Sequence, residues 1–239
     1  MSAIPAEVLG LRVQVLRSTR RTAALHIVGG DLQVRIPQQL QDERVAAILQ
    51  QKRPWIRGKV AERQRLPQRL SPPRPKDMVS GESFAYLGRH YRLKVQEGHQ
   101  VGVCLSGGYL RATIRPGDQG AQREARIQGY LQAWYRGRAL EHLQDKTTRY
   151  AQRIGVSPAG VSVRSFKSRW GSCNKHGQIV FNWAIIKAPH SIVDYVVIHE
   201  LCHLIHPNHS KAFWQLVGRH DPAYPAHRQW LKERGLTLL

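Results

Sequence analysis

The sequence predicts an α+β protein, with a β-rich N-terminal part over residues 1–118 and a second, helix-rich part over 119–239. Three observations carry this. Up to residue 118, short segments alternate apolar and polar residues between glycine-containing turns, the period of half-buried strands. From about 119, apolar residues recur at helical spacing. Between 199 and 209 the chain reads HELCHLIHPNH, with four of its twelve histidines and one of its sixteen acids on an apolar helical run.

Taken in order, LRVQVLRS, AALHIV and LQVRIP are the first strands, with Gly29-Gly30-Asp31 as the turn between the last two. QDERVAAILQQKRPWIRGKVAERQRL has helical character, and Pro54 should split or kink it. SPPRP at 71–75 suits neither element and is expected as a linker. ESFAYLG, HYRLKVQE, VGVCLS and YLRATI make a second β patch. In the next run, Ile127, Leu131, Trp134, Leu140 and Leu143 mark one long helix or two, despite Gly129 and Gly137. VSVRSF then alternates like a strand, WGSCNKHG is expected to turn, and IVFNWAII to form another strand. SIVDYVVIHELCHLIH should be a helix with Ser191 as N-cap, stopped by Pro207. KAFWQLVGRH and AHRQWLKERG are two shorter helices, and no internal repeat is visible.

With 37 basic and 16 acidic residues the formal net charge is +21. Such a charge favours polyanionic partners, nucleic acid among them, but basic residues occur in every segment. The helix bearing Lys52, Arg53, Arg57, Lys59, Arg63 and Arg65 is either a nucleic-acid arm or a solvated face, with the solvated face slightly favoured. The three cysteines are too few and too far apart for a disulfide framework or Cys-x-x-Cys metal spacing. The first residues lack a long apolar run with a basic flank, and no stretch reaches the ~18–20 apolar residues that span a bilayer. A soluble, cytoplasmic protein without membrane contact is the expectation.

His199 and His203 stand four apart, so on a helix both rings project from one face and can grip one Zn²⁺. Glu200 is rotated from them by about a hundred degrees at ~3.6 residues per turn, beside the metal rather than on it. A general base for the metal's water belongs there. Burying two imidazoles and a carboxylate among Val196, Val197, Ile198, Leu201, Leu204 and Ile205 would be costly without a shared partner. For the third ligand both His206 and His209 offer. A continued helix would string His206 along a line about 10.5 Å from His199 at ~1.5 Å per residue, whereas zinc wants a tetrahedral spread. Pro207 turns the chain, so His209 is the preferred third ligand and His206 the alternative. Three protein ligands leave one vertex open, the mark of a catalytic site.

KSRWGSC at 167–173, the run from Ile179 to Trp214, and Trp230-Leu231 resemble the YgjP-like metallopeptidase-domain family. The likeness extends forward through STRRTAALHIVGGDLQVRIP, RPWI and FAYLGRHYRLKV, and so over most of the chain. That family is related to SprT-like and gluzincin-type zinc peptidases. The resemblance implies a zincin-like catalytic domain at 119–239 with an HExxH active-site helix. It also implies one zinc ion on His199, His203 and His209, and Glu200 as catalytic base. Family members are described both as peptidases and as UTP pyrophosphatases.

Three functions are therefore expected. The first is a zinc-dependent, metallopeptidase-like hydrolase of protein or peptide, its zinc-bound water activated by Glu200. The second is a UTP pyrophosphatase using the same site on a nucleotide, and the third a nucleic-acid-binding protein with a structural zinc. Lys167 and Arg169 are candidate substrate-binding cations, Arg169 offering a bidentate fork, and Asn182 a candidate hydrogen-bonding group. Trp170 and Trp183 are expected in the core. Cys173 is assigned no role, and His220 and Tyr224 are candidate oxyanion stabilisers.

Overall fold

The computed structural model describes residues 4–28, 30–65 and 76–238. The expected linker at 71–75, Gly29 of the expected turn, and the side chains of Arg63 and Arg65 lie outside the described residues. The chain is α+β and divides into two compact units, Met1–Ser71 and Pro72–Leu239.

The first unit runs β1 (Glu7–Val8), β2 (Leu11–Ser18), β3 (Ala24–Val28), β4 (Asp31–Pro37), α1 (Asp42–Gln51) and α2 (Arg53–Arg65). Its sheet has the order β1-β2-β4-β3, with β2 and β4 parallel and the outer pairs antiparallel. Leu32, Val34 and Ile36 alternate along β4 and are fully buried, together with Val45, Leu49 and Ile56 of the two helices. Pro54 sits at the second position of α2, where a missing N–H breaks no helical hydrogen bond, so it separates two helices. Lys52, Arg53, Arg57 and Lys59 are exposed.

The second unit begins with β5 (Ser83–Tyr86), β6 (Arg89–Glu97), β7 (Gly102–Ser106) and β8 (Tyr109–Ile114). Their order, β5-β6-β8-β7, and their strand directions repeat those of the first sheet. The repeat is one of topology: a shared strand pattern constrains polarity and turns, not residue identity, which is why the sequence shows none.

The expected division at 118/119 is corrected. Leu110, Ala112 and Ile114 of β8 share one core with Ile127 and Leu131 of α3 (Gly120–Ile154), so this sheet and that helix belong to one unit. The Tyr135 hydroxyl on α3 donates to the Ala85 carbonyl at 2.7 Å, and Tyr86 meets His142 at 2.9 Å. At the tip of the β5–β6 hairpin, Gly88 (φ 78°) lies so close to Pro189 that a Cβ would stand 2.8 Å from its Cα. Only glycine combines that backbone with that approach.

After α3 come β9 (Gly160–Arg164), β10 (Gly171–Cys173) and β11 (Gln178–Asn182), in the order β10-β11-β9. WGSCNKHG is therefore not all turn: three of its residues form an edge strand, and Asn174 closes the turn by accepting from the His176 and Gln178 amides. The strand expected over IVFNWAII stops at Asn182, where a 3-10 turn (Trp183–Lys187) begins.

The next helix is α4 (His190–Cys202), capped by Pro189 rather than Ser191. Val193, Val197, Leu201 and Cys202 have no exposed surface, and burial of such side chains contributes roughly 1.5–3 kcal/mol each for the larger ones. The helix ends well before Pro207: the amides of Leu204, Ile205 and His206 already bond back to Leu201 and Cys202. α5 (Lys211–His220), α6 (Tyr224–Arg234) and a final 3-10 turn (Gly235–Leu238) complete the unit. Among the described residues no helix is long and apolar enough to cross a membrane.

Candidate metal centre and active site

The last turn of α4 presents His199, and His203 comes next as its cap residue. The turn at 203–206 then brings His209 back, so that one nitrogen from each of the three rings lies within 4.8 Å of the others. His199 Nε2 and His209 Nε2 are 3.1 Å apart. Two ligands on one tetrahedral zinc at ~2.0–2.1 Å would stand roughly 3.3 Å apart. His206 enters differently: its backbone carbonyl lies 3.1 Å from His203 Nδ1 and orients that ring, leaving Nε2 for the cluster.

α5 supplies the floor. Ser210 caps it, its hydroxyl accepting from the Phe213 amide at 3.3 Å. This presents Phe213 and Trp214 to the histidines. His203 stacks on Phe213 (4.6 Å, 27°), His199 meets the same ring edge-on (5.0 Å), and His209 stacks on Trp214 (5.5 Å, 19°). These aromatic supports were not singled out from sequence, although their position just after His209 on a helix of clear amphipathic pattern could have pointed to them.

The electrostatics suit a cation. Burial, then the neighbouring His203 and His209 rings and the Arg228 charge, hold the His199 pKa down at about 3. Burial also lowers that of His203. Neutral rings keep lone pairs for a metal. His199 Nδ1 is buried with no hydrogen-bond partner. A single proton can link only one pair of these nitrogens, so three converging imidazoles fit a shared ion better than a hydrogen-bonded core. The residues present fit a zinc ion.

Glu200 is 6% exposed and lies against β10. A Cβ on Gly171 would stand 2.5 Å from Glu200 Oε1 and 2.7 Å from its carboxyl carbon, so the side chain occupies space that only glycine leaves open. Burial raises the Glu200 pKa to about 8, against the opposing pull of Arg169 and the Cys173 amide, which donates to the carboxylate. Gly171 was visible in the RWGSC motif but carried no assigned role, because spacing along the chain does not reveal what lies above a strand.

A cavity of about 510 Å³ opens between β10 and α4, lined by Arg169 and the β10 residues on one side and by Tyr195, His199, Glu200 and His203 on the other. Arg169 is thus brought to the cluster, and Lys175, not anticipated, joins it. Lys167 is exposed and outside the cavity lining. Asn182 is corrected to a structural residue: it is 1% exposed, donates to the Phe166 and Arg169 carbonyls at 3.2 and 3.3 Å, and accepts from the Ala184 amide. Its amide commits both N–H donors to the loop that carries Arg169, and its burial closes it to a substrate. Tyr224 stacks on Trp214 at 5.3 Å, and His220 faces Arg219 and Arg153 rather than the cavity.

Comparison with curated proteins finds no match. Among solved structures, the metallopeptidase zymogen abylysin of Pyrococcus abyssi is 24% identical, over 38% of this chain and 93% of that one. Its TM-score of 0.35 is too low to carry an argument about shape. The family model described as YgjP-like, metallopeptidase domain matches residues 21–234, which take in the histidine cluster, Glu200 and β10. A metallopeptidase domain implies a metal cofactor and hydrolytic chemistry, and by this match over most of its length the chain belongs to the YgjP-like metallopeptidase-domain family.

Proposed function

We propose that the protein is a zinc-dependent hydrolase that cleaves peptide bonds, with His199, His203 and His209 holding one zinc ion and Glu200 as general base. The observation that carries this reading is the placement of Glu200, buried between the histidine cluster and the edge strand β10. When bound, zinc supplies a Lewis acid that polarises the scissile carbonyl and eases deprotonation of the attacking water. Glu200 takes the proton at a carboxylate oxygen that the Cys173 amide orients. Among the described residues β10 pairs with β11 along one side only, and its residues line the cavity, so an extended peptide could add to its free edge as a further strand.

Glu200→Gln keeps the shape and removes the base. The expected result is normal zinc content with turnover of a casein-like protein lowered roughly 10²- to 10⁴-fold. Full activity in this variant overturns the assignment. His209→Ala should sharply lower the zinc bound per chain, read by metal analysis after gel filtration. Unchanged stoichiometry would move the third ligand elsewhere.

Nucleotide pyrophosphate hydrolysis by the same site is the second reading, favoured by Arg169 and Lys175 in the cavity lining. Against it, Glu200 is the one carboxylate of that lining and Asp194 is engaged by Lys146, which leaves little to hold Mg²⁺. A nucleoside triphosphate panel run beside the protein substrate, with Glu200→Gln as control, separates the two. A purely structural zinc in a nucleic-acid-binding protein accounts for neither the buried Glu200 nor the open cavity beside it.

A further inference from the structure

Beside the histidine cluster, α5 and α6 form a second hollow of about 420 Å³, lined by Lys211, Trp214, Gln215, Tyr224 and Arg228. One of its walls, the Trp214 indole, is the ring on which His209 stacks, and it reaches His199 at 5.8 Å between ring centres. The hollow and the histidine cluster therefore share the Trp214 ring.

The lining has a consistent chemistry. It contains two cations, one amide and two aromatic rings, and no carboxylate. The Arg228 guanidinium lies 4.7 Å from the centre of the Trp214 ring, which fixes the fork with its charge uncompensated. Among the described residues neither Lys211 nor Arg228 forms an ion pair. Lys211 is also the first residue of a ten-residue helix, where the backbone amides add positive potential. Arg169 and Lys175 extend the same sign into the neighbouring cavity.

We infer that this hollow is a second substrate-binding site, taking a negatively charged group carried a short distance from the bond that is hydrolysed. A carboxylate of an acidic peptide and a phosphate of a nucleotide share that chemistry, the guanidinium fork donating to either in bidentate fashion. The inference builds on the hydrolase reading of the adjoining cavity, but its test requires no turnover.

The experiment is equilibrium binding by calorimetry to the full-length chain, both zinc-loaded and chelator-treated. The probes are two synthetic hexapeptides that differ only in glutamate against glutamine, and inorganic pyrophosphate. Lys211→Gln/Arg228→Gln is compared with the unmodified protein, with matched thermal melts as the folding control for these two exposed positions. The expected result is at least about tenfold weaker binding of the acidic probe, corresponding to loss of one charge-assisted contact, with the glutamine peptide unaffected. Arg228→Lys should recover part of the loss, since it restores charge without the fork. Loss with the glutamate peptide alone identifies the source as a carboxylate, with pyrophosphate alone as a phosphate, and with both as any such anion. Equal affinity of both proteins for both anions overturns the site, as does an equal loss for the glutamine peptide. If Glu200→Gln proves fully active while these losses appear, the hydrolytic assignment fails and the anion site stands.

Discussion

Gly171→Ala should lower kcat by roughly a hundredfold or more while leaving zinc content near normal. The added Cβ would fall 2.5–2.7 Å from the carboxyl group of Glu200, closer than any real contact allows. Either β10 or the Glu200 side chain must move. A displacement of about 1 Å at a catalytic group is enough to cost on the order of 10²-fold in rate. Gly171 is not among the positive-φ glycines, so alanine is acceptable to the backbone, and the effect isolates the seat of Glu200 from strain. The histidines are held by Phe213, Trp214 and the turn at 203–206, whereas the three atoms nearest the added methyl group all belong to Glu200. Gly129→Ala is the matched control: nothing lies within 4 Å of a Cβ there, and removing a mid-helix glycine should stabilise by up to about 1 kcal/mol. The readouts are zinc per chain and kcat on a protein substrate. A Gly171→Ala enzyme with unaltered kcat would mean that Glu200 does not need its place under β10, and would weaken its role as base.

Gly171 also shows where sequence reading stops. Strands and helices were legible because each reports on itself: β4 buries Leu32, Val34 and Ile36 at period two, and α4 is apolar all round because it is enclosed. The three histidines were legible because two share one helical face and Pro207 limits where the third can lie. What one segment offers another was not legible. The parallel pairings of β2 with β4 and of β6 with β8 leave no local mark, since an edge between strands is a long-range choice. Nor does the 118/119 composition change divide the fold, because the β8 residues complete the core of α3. Asn182 looked like a free amide on a strand. Its role is to cap a 3-10 turn and hold two carbonyls thirteen and sixteen residues away, which only the folded chain reveals.

The largest stability effect is expected at Asp194, about one and a half turns ahead of His199 on α4. Lys146 of α3 donates to Asp194 Oδ1 at 2.6 Å, with the lysine side chain 7% and the aspartate side chain 25% exposed. Asp194→Ala leaves an ammonium group between two packed helices with no counter-charge, and the Tyr150 hydroxyl, which also bonds Asp194, loses its partner. Removing one member of a buried pair typically costs about 3–5 kcal/mol, and the low end of that range applies here because the aspartate side chain is a quarter exposed. For a unit of this size that lowers the thermal midpoint by roughly 10 °C, taking about 2–4 °C per kcal/mol. Removing both charges is a different case: Lys146→Met/Asp194→Leu strands no charge, only the Tyr150 hydroxyl, and such replacements of an ion pair are often neutral within about 1 kcal/mol or stabilising. Thermal melts of Asp194→Leu, Lys146→Met and the double variant, beside Asp194→Ala, decide between these, the coupling appearing as a double variant more stable than the Asp194 single variants. Because the pair pins α4 to α3, the single variant should also bind zinc more weakly than the double at the same temperature. A double variant as unstable as Asp194→Ala would show that the pair's geometry, rather than the cost of an unpaired charge, holds the helix that carries the metal ligands.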